Sequence, residues 1–278
     1  MKIIDAFIFY NETDLLKIRL ELLYEHVDLF LICEANCTFS GNRKQYNFIA
    51  HEHEFSRWKE KIVYIKYEPD LNGLDFSHKD TSFNPSSAPW QIEAGQRNFL
   101  SSYLNTLDDN DIAVISDVDE IWGPELTSLF KDKNIKIDRA RLEMSFHYYY
   151  LNCRGVGTNN SKWYHAFFTK ISYIKLNPDI SHIRSHEEMP HIIKNAGWHF
   201  SYLGGADNVS LKIESFSHQE LNTPEINNKS HLEKCIHLGI DYLNRPGHEW
   251  AFTPIDFYPP RLASLMKLNP HLIRTSLL

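Results

Sequence analysis

Ile112-Ala113-Val114-Ile115-Ser116-Asp117-Val118-Asp119-Glu120 is an almost wholly apolar run that ends abruptly in three carboxylates. Runs of this kind mark central parallel strands, buried on both faces. Open α/β sheets bind their ligands at the carboxyl ends of such strands. Alternation along an extended segment puts Asp117 and Asp119 on one side and Val118 on the other. Hard oxygen donors grouped in this way suit Mg²⁺ or Mn²⁺, and such an ion can neutralise a diphosphate. The competing reading is an acidic turn that caps the helix beginning near Pro124. The buried strand in front of the carboxylates adds weight to the metal.

Working outward, the apolar runs Lys2–Tyr10, His26–Glu34 (HVDLFLICE) and Lys61–Tyr67 (KIVYIKY) read as further strands. Leu15, Ile18, Leu22 and Leu23 recur at helical spacing between the first two. Trp90–Leu107 repeats that pattern through Ile92, Phe99, Leu100, Tyr103, Leu104 and Leu107, and Asp108-Asp109-Asn110-Asp111 breaks it. Strand–helix–strand alternation predicts an α/β unit with a mixed, mostly parallel central sheet. Residues 69–90, rich in Pro, Asn, Ser and Gly, read as a long loop. Residues 140–176 carry β-type aromatic runs, and helical patterns return near 206–222 and 229–243. The expectation is one mixed α/β domain over residues 1–278, with an inserted or appended antiparallel part.

Composition narrows the function. Of 278 residues, 42% are hydrophobic and 23% charged, which is globular and excludes a disordered or fibrous chain. The six Trp, fourteen Tyr and seventeen Phe suit stacking on sugars or flat ligands as well as a core. A net charge of −7 argues against a nucleic-acid partner, which needs a basic stripe. No apolar run reaches the roughly 18 residues of a membrane span. The start, MKIIDAFIFYNETD, reads as a first strand and not as a signal peptide. Cys33, Cys37, Cys153 and Cys235 form no CxxC pair, so reduced thiols and a cytoplasmic location are expected.

Two more segments carry chemistry. In Gly197–Gly205 (GWHFSYLGG), His199 alternates against Trp198 and Phe200, and its imidazole can complete a metal site built on aspartates. Gly204 and Gly205 permit close approach or positive φ, and Lys212 then reaches a phosphate. The alternative is a buried histidine before an ordinary turn. On the helix before the IAVIS strand, Glu93, Gln96 and Arg97 share a face. They form either a polar wall against a nucleotide, with Arg97 as the ligand contact, or a solvated face. Glu12 and Glu34 each end a strand on the side where ligands gather. His218 with Glu220 is another polar pair. His182, His186 and His191 cluster with Glu187 and Glu188 as a second candidate metal site. No GxSxG, GxxxxGK[ST], HExxH or early GxGxxG pattern occurs, so serine-hydrolase, P-loop, zincin and dinucleotide chemistries lack their parts.

DAFIFYNETDLLKIRLELLYEHVDLFLICEANCTFSG (5–41), QRN (96–98), ISDVDEI (115–121), AGWHFSYLGG (196–205) and KIESFSHQE (212–220) together resemble glycosyltransferase family 17. Its best-known members add the bisecting GlcNAc to β-mannose of N-glycans. The resemblance runs from about residue 3 to about 260 and implies a GT-A fold, one Rossmann-like α/β domain that binds a UDP-sugar through a DxD motif and a divalent metal, Mn²⁺ or Mg²⁺. Carried over, Asp117 lies toward the ribose and Asp119 binds the metal. His199 joins the metal, Lys212 holds the diphosphate, Arg97 lies on the nucleotide side and Glu120 on the acceptor side. The family is expected to invert at the anomeric carbon, which needs a carboxylate base. Glu187 is the first candidate, with Glu188, Asp207 and Glu220 as rivals. The chain lacks the membrane anchor of the animal enzymes, so surface-polysaccharide or glycan synthesis is expected, on a glycan acceptor that includes lipid-linked forms, with peripheral membrane contact. Two other readings use the same residues: a metal-dependent nucleotide-sugar hydrolase, and an idle sugar-binding GT-A scaffold.

Overall fold

A computed structural model describes residues 1–77, 84–132 and 137–275. The first half runs β1 (Ile3–Phe9), α1 (Thr13–Leu23), β2 (Leu29–Ala35), α2 (Asn47–Ala50), β3 (Ile62–Tyr67), α3 (Ala88–Leu104) and β4 (Ile112–Asp117). Then follow β5 (Glu120–Trp122), α4 (Leu126–Lys131), β6 (Arg139–Leu142), β7 (Met144–Tyr148), β8 (Cys153–Gly155), β9 (Lys162–Trp163) and β10 (Phe167–Lys170). The last part is α5 (Ile171–Leu176), α6 (Ile180–His186), β11 (Ile192–Ile193), β12 (Gly197–Ser201), α7 (Gly205–Ser215), α8 (Lys229–Leu238), β13 (Trp250–Phe252) and α9 (Pro260–Leu268).

A seven-stranded sheet has the order β11-β6-β10-β4-β1-β2-β3. β1 lies parallel to β2 and β4, and β10 runs antiparallel between β4 and β6. All seven residues of β1 are buried, because both faces are covered. On one face Ile3, Phe7 and Phe9 pack with Leu15, Leu16, Ile18, Leu22 and Leu23 of α1. On the other, Ile4, Ala6 and Ile8 pack with Leu100 and Leu104 of α3 and with Ile171, Ile174, Ile180 and Ile183. Period-two alternation in the strand thus meets helical periodicity on both sides.

The second sheet has the order β13-β8-β7-β12-β5, with β9 added on β7. It is mixed and not purely antiparallel, since β12 runs parallel to β7 and antiparallel to β5. Trp122 and Phe200 of this sheet share a core cluster with the β1 and α1 residues. Local expectations change at several places. The stretch read as strand up to residue 176 turns helical after Lys170, because Ile171 and Ile174 reach the core one turn apart. The helix expected over 206–222 stops at Ser215, where Phe216 becomes extended. The one expected over 229–243 stops at Leu238, where Gly239 takes φ +64°. Part of the expected loop, residues 78–83, lies outside the described residues. All four cysteines are free and buried.

Candidate active site

The turn between β4 and β5 carries the three carboxylates, and a buried arginine holds it from below. Asp5 of β1 and Arg19 of α1 are both fully buried. Arg19 donates to both Asp5 oxygens, at 2.8 Å through Nε and 2.6 Å through Nη2. Its Nη1 donates to the carbonyls of Asp117 (2.7 Å) and Glu120 (2.9 Å), and Nη2 to Ser116 Oγ (2.6 Å). Trp122 Nε1 completes the set on Asp5 Oδ1 at 3.0 Å. The rigid fork of a guanidinium suits this work, joining one carboxylate to several carbonyls of a tight turn.

That turn breaks the alternation expected from an extended segment. Asp117 ends β4, Val118 and Asp119 form the turn, and the two aspartates face different partners. Asp117 receives Arg97 at 3.0 Å on Oδ1 and Arg184 at 2.9 Å on Oδ2. Each of its oxygens thus has a guanidinium partner. Arg97 is 2% exposed and divides its guanidinium between Asp117 and Glu93 (2.9 Å). It holds Asp117 in place from α3. Glu120 is fully buried and accepts four hydrogen bonds, two from Arg184 at 2.6 and 2.8 Å, one from Trp163 Nε1 and one from the Asp117 amide. These bonds tie the turn to α6 through Arg184 and to β9 through Trp163.

Burial alone pushes the Glu120 carboxyl up, but Arg184 more than reverses this and holds it down at about 2, against an ordinary 4.5. A depressed carboxylate contributes stability above its unfolded value and loses it as pH falls toward its folded one. Urea midpoints are therefore expected to drop as pH falls from about 5.5 through about 2, and to drop less in Glu120→Gln, which never carries that charge. Equal slopes in the two proteins would contradict the assignment.

Asp119 faces the other way, into a cleft lined by Asn11, Glu12, Tyr202, Gly204, Asn208 and Lys212. Lys212 Nζ lies 2.7 Å from Oδ2 and His199 Nε2 lies 3.4 Å from Oδ1. Burial raises the Asp119 carboxyl, yet Lys212 and His199 outweigh it and hold the group well below the usual carboxylate range. Alternation in β12 sends Trp198 and Phe200 toward the main core and His199 to the opposite side. There its ring stacks on Phe146 at 4.8 Å and lies 4.3 Å from Trp163. His199 Nδ1 is buried without a hydrogen-bond partner. Gly204 (φ +91°) and Gly205 (φ +83°) start α7 at the rim of the cleft, in a backbone conformation that side chains avoid. Glu12 accepts the Asn11 amide at 3.0 Å, and its carboxyl is raised by burial and by Asp119 against the pull of Lys212.

The donor set fits one divalent ion. Two cis ligands at about 2.0–2.2 Å from a metal stand roughly 3 Å apart, close to the 3.4 Å between Asp119 Oδ1 and His199 Nε2. The described residues contain no group of three or more side chains able to hold a metal. Mg²⁺ and its chemical relatives commonly take one or two protein ligands and complete their shell with phosphate and water.

Residues 1–269 match the model of Glycosyltransferase family 17. The chain belongs to that family. No curated protein matches it. Among solved structures, residues 1–349 of TarS from S. aureus share 10% identity, with 88% of this chain and 74% of that chain covered at a TM-score of 0.40. HddC from Yersinia pseudotuberculosis shares 7%, covering 73% and 91% at 0.40. The galactosyltransferase LgtC, solved with donor and acceptor sugar analogues, shares 14%, covering 68% and 67% at 0.34. The family 17 chain is a glycosyltransferase with a mixed α/β fold.

Two expected site residues lie apart from the cleft. Glu34 is fully buried, and its carboxylate accepts from Lys44, the Asn47 amide (2.6 Å), the Phe48 amide (3.0 Å) and Tyr64 OH (2.9 Å). It knits β2 to α2 and β3. Glu187 is held by Arg139 at 2.5 Å and by Tyr173 OH at 2.7 Å, so this candidate base is engaged in a structural ion pair. Two of its three rivals are also paired, Asp207 with Lys229 in solvent and Glu220 with His218. Sequence reasoning missed Asp5, Arg19, Arg184 and Trp163. A signal existed for the first two, because each is a lone charge among residues of an otherwise apolar strand or helix face.

Proposed function

We propose that this family 17 enzyme transfers a sugar, GlcNAc, from a UDP donor to a hydroxyl of a glycan acceptor, with inversion and with a divalent metal. The observation that carries this reading is the convergence of Asp119, His199 and Lys212 on one cleft at the glycine-rich start of α7. Asp119 Oδ1 and His199 Nε2 would hold the ion, and an imidazole donor favours Mn²⁺ over the harder Mg²⁺. When bound, the ion supplies Lewis-acid stabilisation of the departing diphosphate. The Lys212 ammonium and the free amides at the α7 start bind phosphate oxygens. Arg19, Arg184 and Arg97 keep the carboxylate-bearing turn rigid, so no reorganisation is needed as charge develops.

Inversion needs a base for the acceptor proton. Of the carboxylates lining the cleft besides Asp119, Asp14 is paired with Lys17 and His271, whereas Glu12 faces Asp119 and Lys212. Glu12 is therefore assigned the role first sought in Glu187. The acceptor is a glycan that includes lipid-linked forms. Among the described residues no helix is long and apolar enough to cross a membrane, so a lipid-linked acceptor would be met by peripheral contact.

Titration calorimetry with UDP-GlcNAc, in Mn²⁺ and in EDTA, tests the reading. Binding is expected with the metal and at least about tenfold weaker without it, a difference of roughly 1.4 kcal/mol. Absence of binding in every metal condition would refute it. Release of free sugar at full rate without acceptor would favour the hydrolase.

A further inference from the structure

We propose that Lys212 guards the Asp119 carboxylate against free divalent ions, so that the metal enters only together with a diphosphate. The inference rests on the metal–nucleotide reading above and adds an order of events to it. Lys212 Nζ occupies Asp119 Oδ2 at 2.7 Å, and its other polar contact is Ser201 Oγ at a long 3.4 Å. The carboxylate that lies beside His199 Nε2 is thus paired with an ammonium. Asp117 and Glu120 are engaged elsewhere, paired with Arg97 and Arg184. A dication placed at Asp119 Oδ1 and His199 Nε2 would share its carboxylate with a like charge.

A diphosphate changes that balance. It brings its own negative charge and offers Lys212 a second anion to bind. Lys212 lies seven residues, about two helical turns, beyond Gly205, and both Gly204 and Lys212 line the same cleft. The side chain therefore needs only to swing from Asp119 to a phosphate lying at the start of α7. The helix itself stays in place: Tyr10 OH lies 3.0 Å from Ser215 Oγ, and the Phe39 amide donates to the Ser215 carbonyl at 3.0 Å. Lys212 is a positioning residue in this sense, bound to the carboxylate in the empty enzyme and to the phosphate in the loaded one.

The test measures Mn²⁺ binding by loss of the free-ion electron paramagnetic resonance signal, for the wild type, Lys212→Met and Lys212→Arg, with and without UDP. The wild type is expected to bind Mn²⁺ weakly alone and at least about tenfold more tightly with UDP. Lys212→Met should bind Mn²⁺ alone at least about tenfold more tightly than the wild type and lose most of the enhancement by UDP. Lys212→Arg keeps the charge and should stay as weak as the wild type toward the free ion. If Lys212→Met binds free Mn²⁺ no better than the wild type, while the wild type still binds Mn²⁺ with UDP, the guarding role is wrong and the metal–nucleotide reading survives. If the wild type binds no Mn²⁺ even with UDP, both fall together. Matching thermal melts of the three proteins establish that each is folded.

Discussion

Asp119→Ala is expected to lower metal-dependent glycosyl transfer by at least about a hundredfold, the scale on which a central electrostatic group acts. Asp119 is the one carboxylate of its turn whose oxygens face the cleft, toward His199 on one side and Lys212 on the other. Its loss removes half of the proposed protein ligand set and frees Lys212 from its partner at once. Asp119→Asn keeps the shape but weakens the ligand, so it should fall nearly as far. The measurement is the initial rate with UDP-GlcNAc and Mn²⁺ on folded variants. A rate near that of the wild type would remove the site assignment. Asp117, by contrast, is paired with two guanidiniums.

Arg19→Met should be the most destabilising single change near the site. It strands the fully buried Asp5 carboxylate, and breaking a buried ion pair from one side costs about 3–5 kcal/mol. It also removes the donors that hold the Asp117 and Glu120 carbonyls, so activity should drop even in the fraction that folds. Urea denaturation gives the stability change and the rate per folded molecule gives the second effect. Lysine should not rescue it, because a point ammonium cannot serve one carboxylate and several carbonyls together. The double variant Asp5→Asn, Arg19→Met should recover part of the stability, with little recovery of rate, because the two residues are directly coupled. A loss of less than about 1 kcal/mol in Arg19→Met, within the range of an exposed pair, would show that the pair is not structural.

The parallel half of the fold was legible because its inner strands β1, β2 and β4 are buried on both faces, and only the edge strand β3 is half-buried. IIDAFIF, HVDLFLICE, KIVYIKY and IAVIS read as apolar runs, and the helices between them carry clear period-3.6 stripes. The later half was harder. Its strands are short, two to five residues, and aromatic residues serve strand and helix alike. KISYIKL therefore read as a strand although Ile171 and Ile174 pack as one helical turn.

Local sequence by itself determined the acidic end of β4, the lone histidine of β12 and the glycines that open α7, since each depends on neighbours within a few residues. Which of those carboxylates remain open was decided by tertiary structure alone. Arg97 of α3 and Arg184 of α6 come from 20 and 67 residues away to take Asp117, and Arg184 takes Glu120 as well. Lys212 comes from 93 residues away to meet Asp119. The physical reason is that a buried carboxylate must be neutralised, and the cation that does so is chosen by packing across the sheet, where sequence distance has no bearing.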